Sequence, residues 1–195
     1  MKVRELLNAL SVAERLKDTT RHCYTAGGRH ESVAEHSWMM TLMALFLKDE
    51  FPDVDMDKVI RMCIIHDLGE CFTGDIPTFD KAADDEALEE KLLSRWVDGL
   101  PEGLSAELRS LYAEMALLQT AEAKLYKAID NLEAVIQHNH SDISTWIEKE
   151  YTLNLTYGND KVAFSPYLTE LRQAIREDTE AKIRQEGIHT HASTL

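Results

Sequence analysis

Apolar residues recur at the three- and four-residue spacing of helices along almost the whole chain. Leu6, Leu7, Leu10, Ala13 and Leu16 form one face of a first helix, followed by a loop over 17–31 around the flexible pair Gly27-Gly28. Ser32-Val33-Ala34-Glu35 reads as a capping box, so a helix starts there and runs to about Phe51, where Pro52 stops it. Asp55 caps the next helix, whose Val59, Met62, Cys63, Ile64 and Ile65 are nearly all buried types; it ends near Gly69. Cys71 to Thr78 carries turn residues and reads as a loop. Further helices are predicted over about 84–98, 105–118, 121–139, 142–157 and 165–185, the last opened by Ser165 as cap and Pro166 at the first helical position. No segment has a convincing period of two. The pattern therefore predicts an all-α helical bundle without significant sheet, as one domain over 1–187 and a frayed, disordered tail over 188–195.

Composition narrows the class without changing the fold. A chain of 195 residues with 44% hydrophobic and 29% charged residues can bury its own core and is not disordered. No apolar run approaches the length of a membrane span, and the charged N-terminus lacks an apolar signal core. Three cysteines without paired spacing fit a reducing compartment, so a cytoplasmic protein is expected. Lys and Arg total 21 against 35 Asp and Glu, a net charge of −14. That balance argues against nucleic-acid polymers and anionic membranes as partners, but not against a small phosphorylated substrate held by a metal or by one or two local cations.

The candidate chemistry sits at the end of the third helix. His66-Asp67 closes a very apolar segment, where helix geometry loosens enough for neighbouring residues to reach one metal. His36 lies one turn into a helix whose start the capping box holds rigid. Asp130 sits among Leu125, Ala128, Ile129 and Leu132, where a carboxylate is costly to bury unless paired or metal-bound. Glu70 and Asp75 follow His66 within nine residues. Two imidazoles and two carboxylates are an N/O donor set suited to Zn, Mn, Fe, Co or Ni. Lys81, six residues after Asp75, is a further candidate for a phosphate. His138 and His140, near the end of the Asp130 helix, suit its negative terminus better than a ligand role.

The order His36, His66-Asp67, Asp130 resembles the HD-domain metal phosphohydrolases. The strings ESVAEHS, IIHDLGECFTGDIPT and KAIDNLEA resemble the HD-domain 5'-deoxynucleotidases, over about residues 15–135. The resemblance implies one divalent metal, cobalt or manganese in such proteins, held by His36, His66, Asp67 and Asp130, and a homodimer. It also implies Glu70 and Asp75 as the acid/base pair and Arg21 as a phosphate ligand. The bacterial relatives carry a Trp after that Arg, near the sugar; His22 stands here and implies weaker discrimination between deoxyribose and ribose. The expected activity is hydrolysis of (deoxy)nucleoside 5'-monophosphates by metal-activated water. Two alternatives stay open. One is an HD phosphohydrolase of a nucleoside triphosphate, cyclic nucleotide or alarmone, disfavoured by the few basic residues. The other is a non-catalytic metal- and nucleotide-binding module, disfavoured by intact Glu70 and Asp75.

Overall fold

A computed structural model describes residues 1–192, with side chains through Gly187. The chain forms two compact units: Met1–His22 with Glu31–Tyr126, and Cys23–His30 with Lys127 onward. The expectation of a frayed tail over 188–195 meets a helix that continues through Ala192, and residues 193–195 lie outside the described residues.

The first unit is built on α1 (Val3–Ala13), α2 (Val33–Leu47), α3 (Met56–Ile65), α4 (Glu70–Thr73), α5 (Ala83–Asp98) and α6 (Glu102–Leu117). The capping box at the start of α2 is formed in full. Glu35 N–H donates to Ser32 Oγ at 3.2 Å, and the Glu35 carboxylate accepts from Ser32 N–H at 2.9 Å. Asp55 caps α3 by accepting from Lys58 N–H at 3.1 Å. Met40, Ala44, Val59, Met62 and Cys63 are wholly buried in α2 and α3. Burial of the Met and Val side chains among them stabilises the unit by about 1.5–3 kcal/mol each.

The predicted loop over 17–31 contains a two-stranded sheet instead, β1 (Thr20–Tyr24) with β2 (His30–Ser32). The sequence hid it because Thr20-Arg21-His22-Cys23-Tyr24 has no alternation of apolar and polar residues; only Cys23 is buried. Turn chemistry holds it: Thr25 N–H donates to Arg29 C=O at 2.8 Å, and Gly28 supplies a φ of +80°. The architecture remains all-α with this small addition.

The second unit centres on α7 (Ala121–His140), which begins in the first unit, and α10 (Pro166–Ala192). Ile129, Leu132, Val135, Leu168 and Ile175 are buried here. The predicted helix over 142–157 is broken. Residues Ile143–Thr145 form one 3-10 turn, then come α8 (Glu150–Leu153) and α9 (Asn159–Val162). Asp142 accepts from Ser144 N–H at 2.9 Å, and Trp146 adopts an extended ψ of 138° that ends the turn. Gly158 then turns the chain at φ +78°, where a Cβ would lie 2.9 Å from the Asn131 Cβ.

Candidate functional site

The site is assembled where three local structures meet in the first unit. α3 ends at Ile65, so His66 and Asp67 leave the helical ladder and both side chains turn to the same point. The Tyr112 hydroxyl donates to the Ile65 carbonyl at 2.7 Å and fixes this helix end. Gly69 is required just beyond it: a Cβ there would lie 2.7 Å from the Glu89 side chain of α5. His36, 1% exposed, reaches in from the second turn of α2.

His66 Nε2 lies 2.9 Å from Asp67 Oδ2, and His36 Nε2 lies 3.9 Å from the same oxygen. The ligating atoms of the three residues fall within 4.8 Å of one another. Donors bound at about 2.1 Å to a common cation stand roughly 3–3.5 Å apart, so the cluster has the dimensions of a metal site. His66 Nδ1 faces the Cys63 carbonyl at 2.9 Å. That contact assigns the ring proton to Nδ1 and leaves the Nε2 lone pair turned toward Asp67, the arrangement by which outer hydrogen bonds orient a ligating imidazole.

The carboxylates beside this cluster confirm that a cation suits it. Glu70, at the start of α4, is 7% exposed, and its Oε2 has no hydrogen-bond partner among the described residues. Burial pushes its pKa up to about 9, with further increments from Asp67, Asp75 and Glu89; Arg21 opposes them. Burial also raises the Asp75 pKa, against the opposing charges of Arg21, His22 and Lys81. Crowded, desolvated acids of this kind call for a positive ion, which would reverse both shifts.

The remaining sequence candidates take distinct places. Arg21, on β1, donates to Glu31 of β2 at 3.0 Å. His22 meets Phe79 edge-on, with ring centroids 5.3 Å apart. Lys81 donates to Glu89 at 2.7 Å; this bond and the nearby acids raise its pKa although burial alone would lower it. Asp130 belongs to the second unit, on α7, where Lys127 donates to its carboxylate at 2.7 Å. A cavity of about 620 Å³ opens beside His66, walled by Lys81, Glu89, Tyr112, Met115 and Tyr126. Glu31 and Glu89 escaped the sequence reading. Glu31 could only be found by seeing the hairpin, and Glu89 sits within an acidic run that looks like a solvated helix start.

The chain matches the family model described as HD domain over residues 13–172. It is 35% identical over 138 residues to the bovine 5'-deoxynucleotidase HDDC2, covering 69% of this chain and 66% of that protein. It is 34% identical over 138 residues to the human 5'-deoxynucleotidase HDDC2, covering 69% and 67%. The alignments thus span about two thirds of these relatives. Among solved structures it is similar to a predicted metal-dependent phosphohydrolase of Magnetospirillum magnetotacticum MS-1. That similarity has a TM-score of 0.77 and 27% identity, and covers 92% of this chain and 93% of that one. A conserved hypothetical protein from Pyrococcus furiosus has a TM-score of 0.69 at 29% identity, covering 88% and 99%. The His36, His66-Asp67 cluster, the helical architecture and these similarities together establish that the chain belongs to the HD-domain family.

Proposed function

We propose that the chain is a metal-dependent phosphomonoesterase that hydrolyses (deoxy)nucleoside 5'-monophosphates to nucleoside and phosphate. The observation that carries this reading is the convergence of His36, His66 and Asp67 beside a buried Glu70 with an unmatched oxygen. The relatives named 5'-deoxynucleotidase support the substrate class. His36, His66 and Asp67 would hold one divalent cation, with Asp130 as the fourth ligand that the family resemblance assigns. Cobalt or manganese are the first candidates, and Fe, Ni, Zn or Mg would also suit such N and O donors. When bound, the cation lowers the pKa of water toward neutrality and neutralises a phosphoryl oxygen.

The chain's own residues do the rest. Arg21 offers a guanidinium fork to a second phosphoryl oxygen, exchanging its bond to Glu31 for the substrate. Lys81 adds a compact charge from the cavity wall. Glu70 and Asp75 divide the proton transfers: one takes the proton of the attacking water, the other gives one to the leaving 5'-oxygen. Tyr112, Tyr126 and Met115 present an apolar wall to the nucleoside. His22, held edge-on by Phe79, offers a hydrogen bond to a 2'-hydroxyl rather than a bulky ring against it, so ribonucleotides are accepted alongside deoxyribonucleotides.

A cytoplasmic homodimer completes the reading. No described helix is long and apolar enough to cross a membrane, and the three cysteines are buried and form no disulfide among the described residues. Of the apolar residues after Asp130, Trp146 is 7% exposed, Tyr151, Leu153, Leu155 and Tyr157 are half-buried, and Ile147 is 43% exposed, a smaller apolar surface than an interface needs. A more continuous exposed apolar surface lies in the first unit. A groove of about 720 Å³ is walled by Leu10, Trp38, Ile64 and Leu68, and Trp38 is 61% exposed. α2 continues this surface through Leu45 and Phe46, and a second copy would cover it. Phosphate release from a panel of ribo- and deoxynucleotides, each with several divalent metals, tests the activity. Activity toward triphosphates, cyclic nucleotides or alarmones in place of monophosphates would overturn it.

A further inference from the structure

The second unit contains a cavity of about 690 Å³ between α9 and the first half of α10, lined by none of the residues assigned above. Asn159, Thr169, Glu170, Arg172, Gln173 and Arg176 contribute to its wall. Arg172 is unusual among them, because it is charged and only 3% exposed. Two of its nitrogens serve the fold: Nε donates to the Tyr157 carbonyl at 2.9 Å and Nη2 to the Asn154 carbonyl at 2.8 Å. They satisfy two carbonyls of the turn that joins α8 to α9. Nη1 is buried and has no acceptor among the described residues.

An unmade hydrogen bond on a buried charged donor is costly, and buried charges are ordinarily paired. The neighbourhood makes matters worse. Arg176, one turn further along α10, lines the same cavity; burial, and after it the charge of Arg176, lowers the basicity of Arg172. Arg176 itself is half-buried, and among the described residues its Nε donates to Glu180 at 2.9 Å. Two arginines thus line one cavity in a chain whose net charge is −14. The N-terminus of the long helix α10 adds its positive end on the same side, through Pro166 and Thr169.

We propose that this cavity is a second binding site, for a small oxyanion of the phosphate class seated between Arg172 and Arg176. An oxygen of the anion accepts from Arg176 on the open side and supplies the acceptor that Arg172 Nη1 lacks. Thr169, Asn159 and Gln173 offer neutral hydrogen bonds around it. Glu170 on the same wall selects the ion: a protonated phosphate oxygen can donate to that carboxylate, whereas fully ionised sulfate cannot. The source of the anion is either free phosphate or the phosphoryl group of a nucleotide.

Amide NMR of the full-length chain, titrated with inorganic phosphate, tests the site independently of any hydrolysis. Saturable shifts at the amides of Thr169 to Arg176 are expected, weaker with sulfate at matched ionic strength. Arg176→Ala should abolish them, Arg176→Lys should restore a part, and Arg21→Ala should leave them intact. A parallel titration with AMP separates the sources. A free-phosphate site responds to phosphate and not to the nucleotide, and a nucleotide site responds to AMP at lower concentration. Amides that stay unmoved up to tens of millimolar phosphate, or shifts that persist in Arg176→Ala, would overturn the proposal. Arg172 is left unmutated because its carbonyl contacts hold the fold.

Discussion

Each unit of the molecule buries a histidine against a carboxylate, and the two pairs differ in what their surroundings leave unmet. His138 Nε2 lies 3.5 Å from Glu150 Oε1, both side chains almost wholly buried. The other Glu150 oxygen accepts from Ile147 N–H at 2.8 Å, and the His138 carbonyl accepts from Trp146 Nε1 at 3.0 Å. These bonds tie the segment 141–153 down onto α7. The pair at His66 and Asp67 is different. His36 arrives at the same point, Glu70 keeps an oxygen without a partner among the described residues, and three acids crowd together. A buried histidine–carboxylate contact is therefore structural or functional according to what surrounds it. Where hydrogen bonds tie the pair to the fold it acts as a clamp, and where further imidazole and carboxylate groups converge beside it, it is the proposed ligand set.

The largest effects should separate the two pairs by kind. Glu70→Gln is expected to keep the metal and the fold while lowering kcat on the order of 10²–10⁴-fold. His138→Ala should leave metal content and kcat near wild type. It would instead cost about 1–3 kcal/mol of stability in a denaturant titration, because it orphans a buried Glu150 oxygen. Loss of metal in His138→Ala, or full turnover in both Glu70→Gln and Asp75→Asn, would erase the distinction.

A pH experiment sharpens it. In metal-free protein the Glu70 pKa rises from 4.5 to about 9, so the folded state favours its protonated form. That contribution is fully present below pH 4.5 and is lost as pH climbs toward 9. Metal-free wild type should therefore lose Tm over this window relative to Glu70→Gln, the gap between them widening with pH. A constant gap would mean that burial does not hold Glu70 protonated.

These regions also differ in how they could be read. The capping box, the apolar run of α3 and the His66-Asp67 ending are local signals, and each appears where the sequence put it. Ser165 capping α10 is the same case: its Oγ accepts from Leu168 N–H at 3.3 Å. The hairpin was not legible, because its polar strand is held by a turn and by the Arg21–Glu31 pair rather than by an apolar stripe. The break after Asp142 was missed because Trp146, Ile147, Tyr151 and Leu155 mimic a helical face, whereas Trp146 turns inward to reach a carbonyl of α7. Periodicity cannot show which of two surfaces an aromatic ring will choose. The same limit applied to Leu6, Leu7 and Leu10, whose regular spacing suggested burial but which stand 45–55% exposed.

Smaller effects follow from the surface and the sugar. Phe46→Asp combined with Trp38→Asp should convert a dimer to a monomer by light scattering, with metal content unchanged. A dimeric mass in the double variant would move the interface off this face. His22→Trp should raise the ratio of kcat/KM for dAMP over AMP while changing kcat for dAMP little. One lost hydroxyl contact in such a pocket is worth on the order of tenfold or more. An unchanged ratio would remove His22 from sugar selection.

The most direct test of the central claim is metal content per subunit, measured on purified wild type, His66→Ala, Asp67→Ala and His138→Ala side by side. The account predicts one divalent transition metal in wild type and in His138→Ala, and none in the two variants of the converging cluster. Full metal retained in both His66→Ala and Asp67→Ala would contradict it.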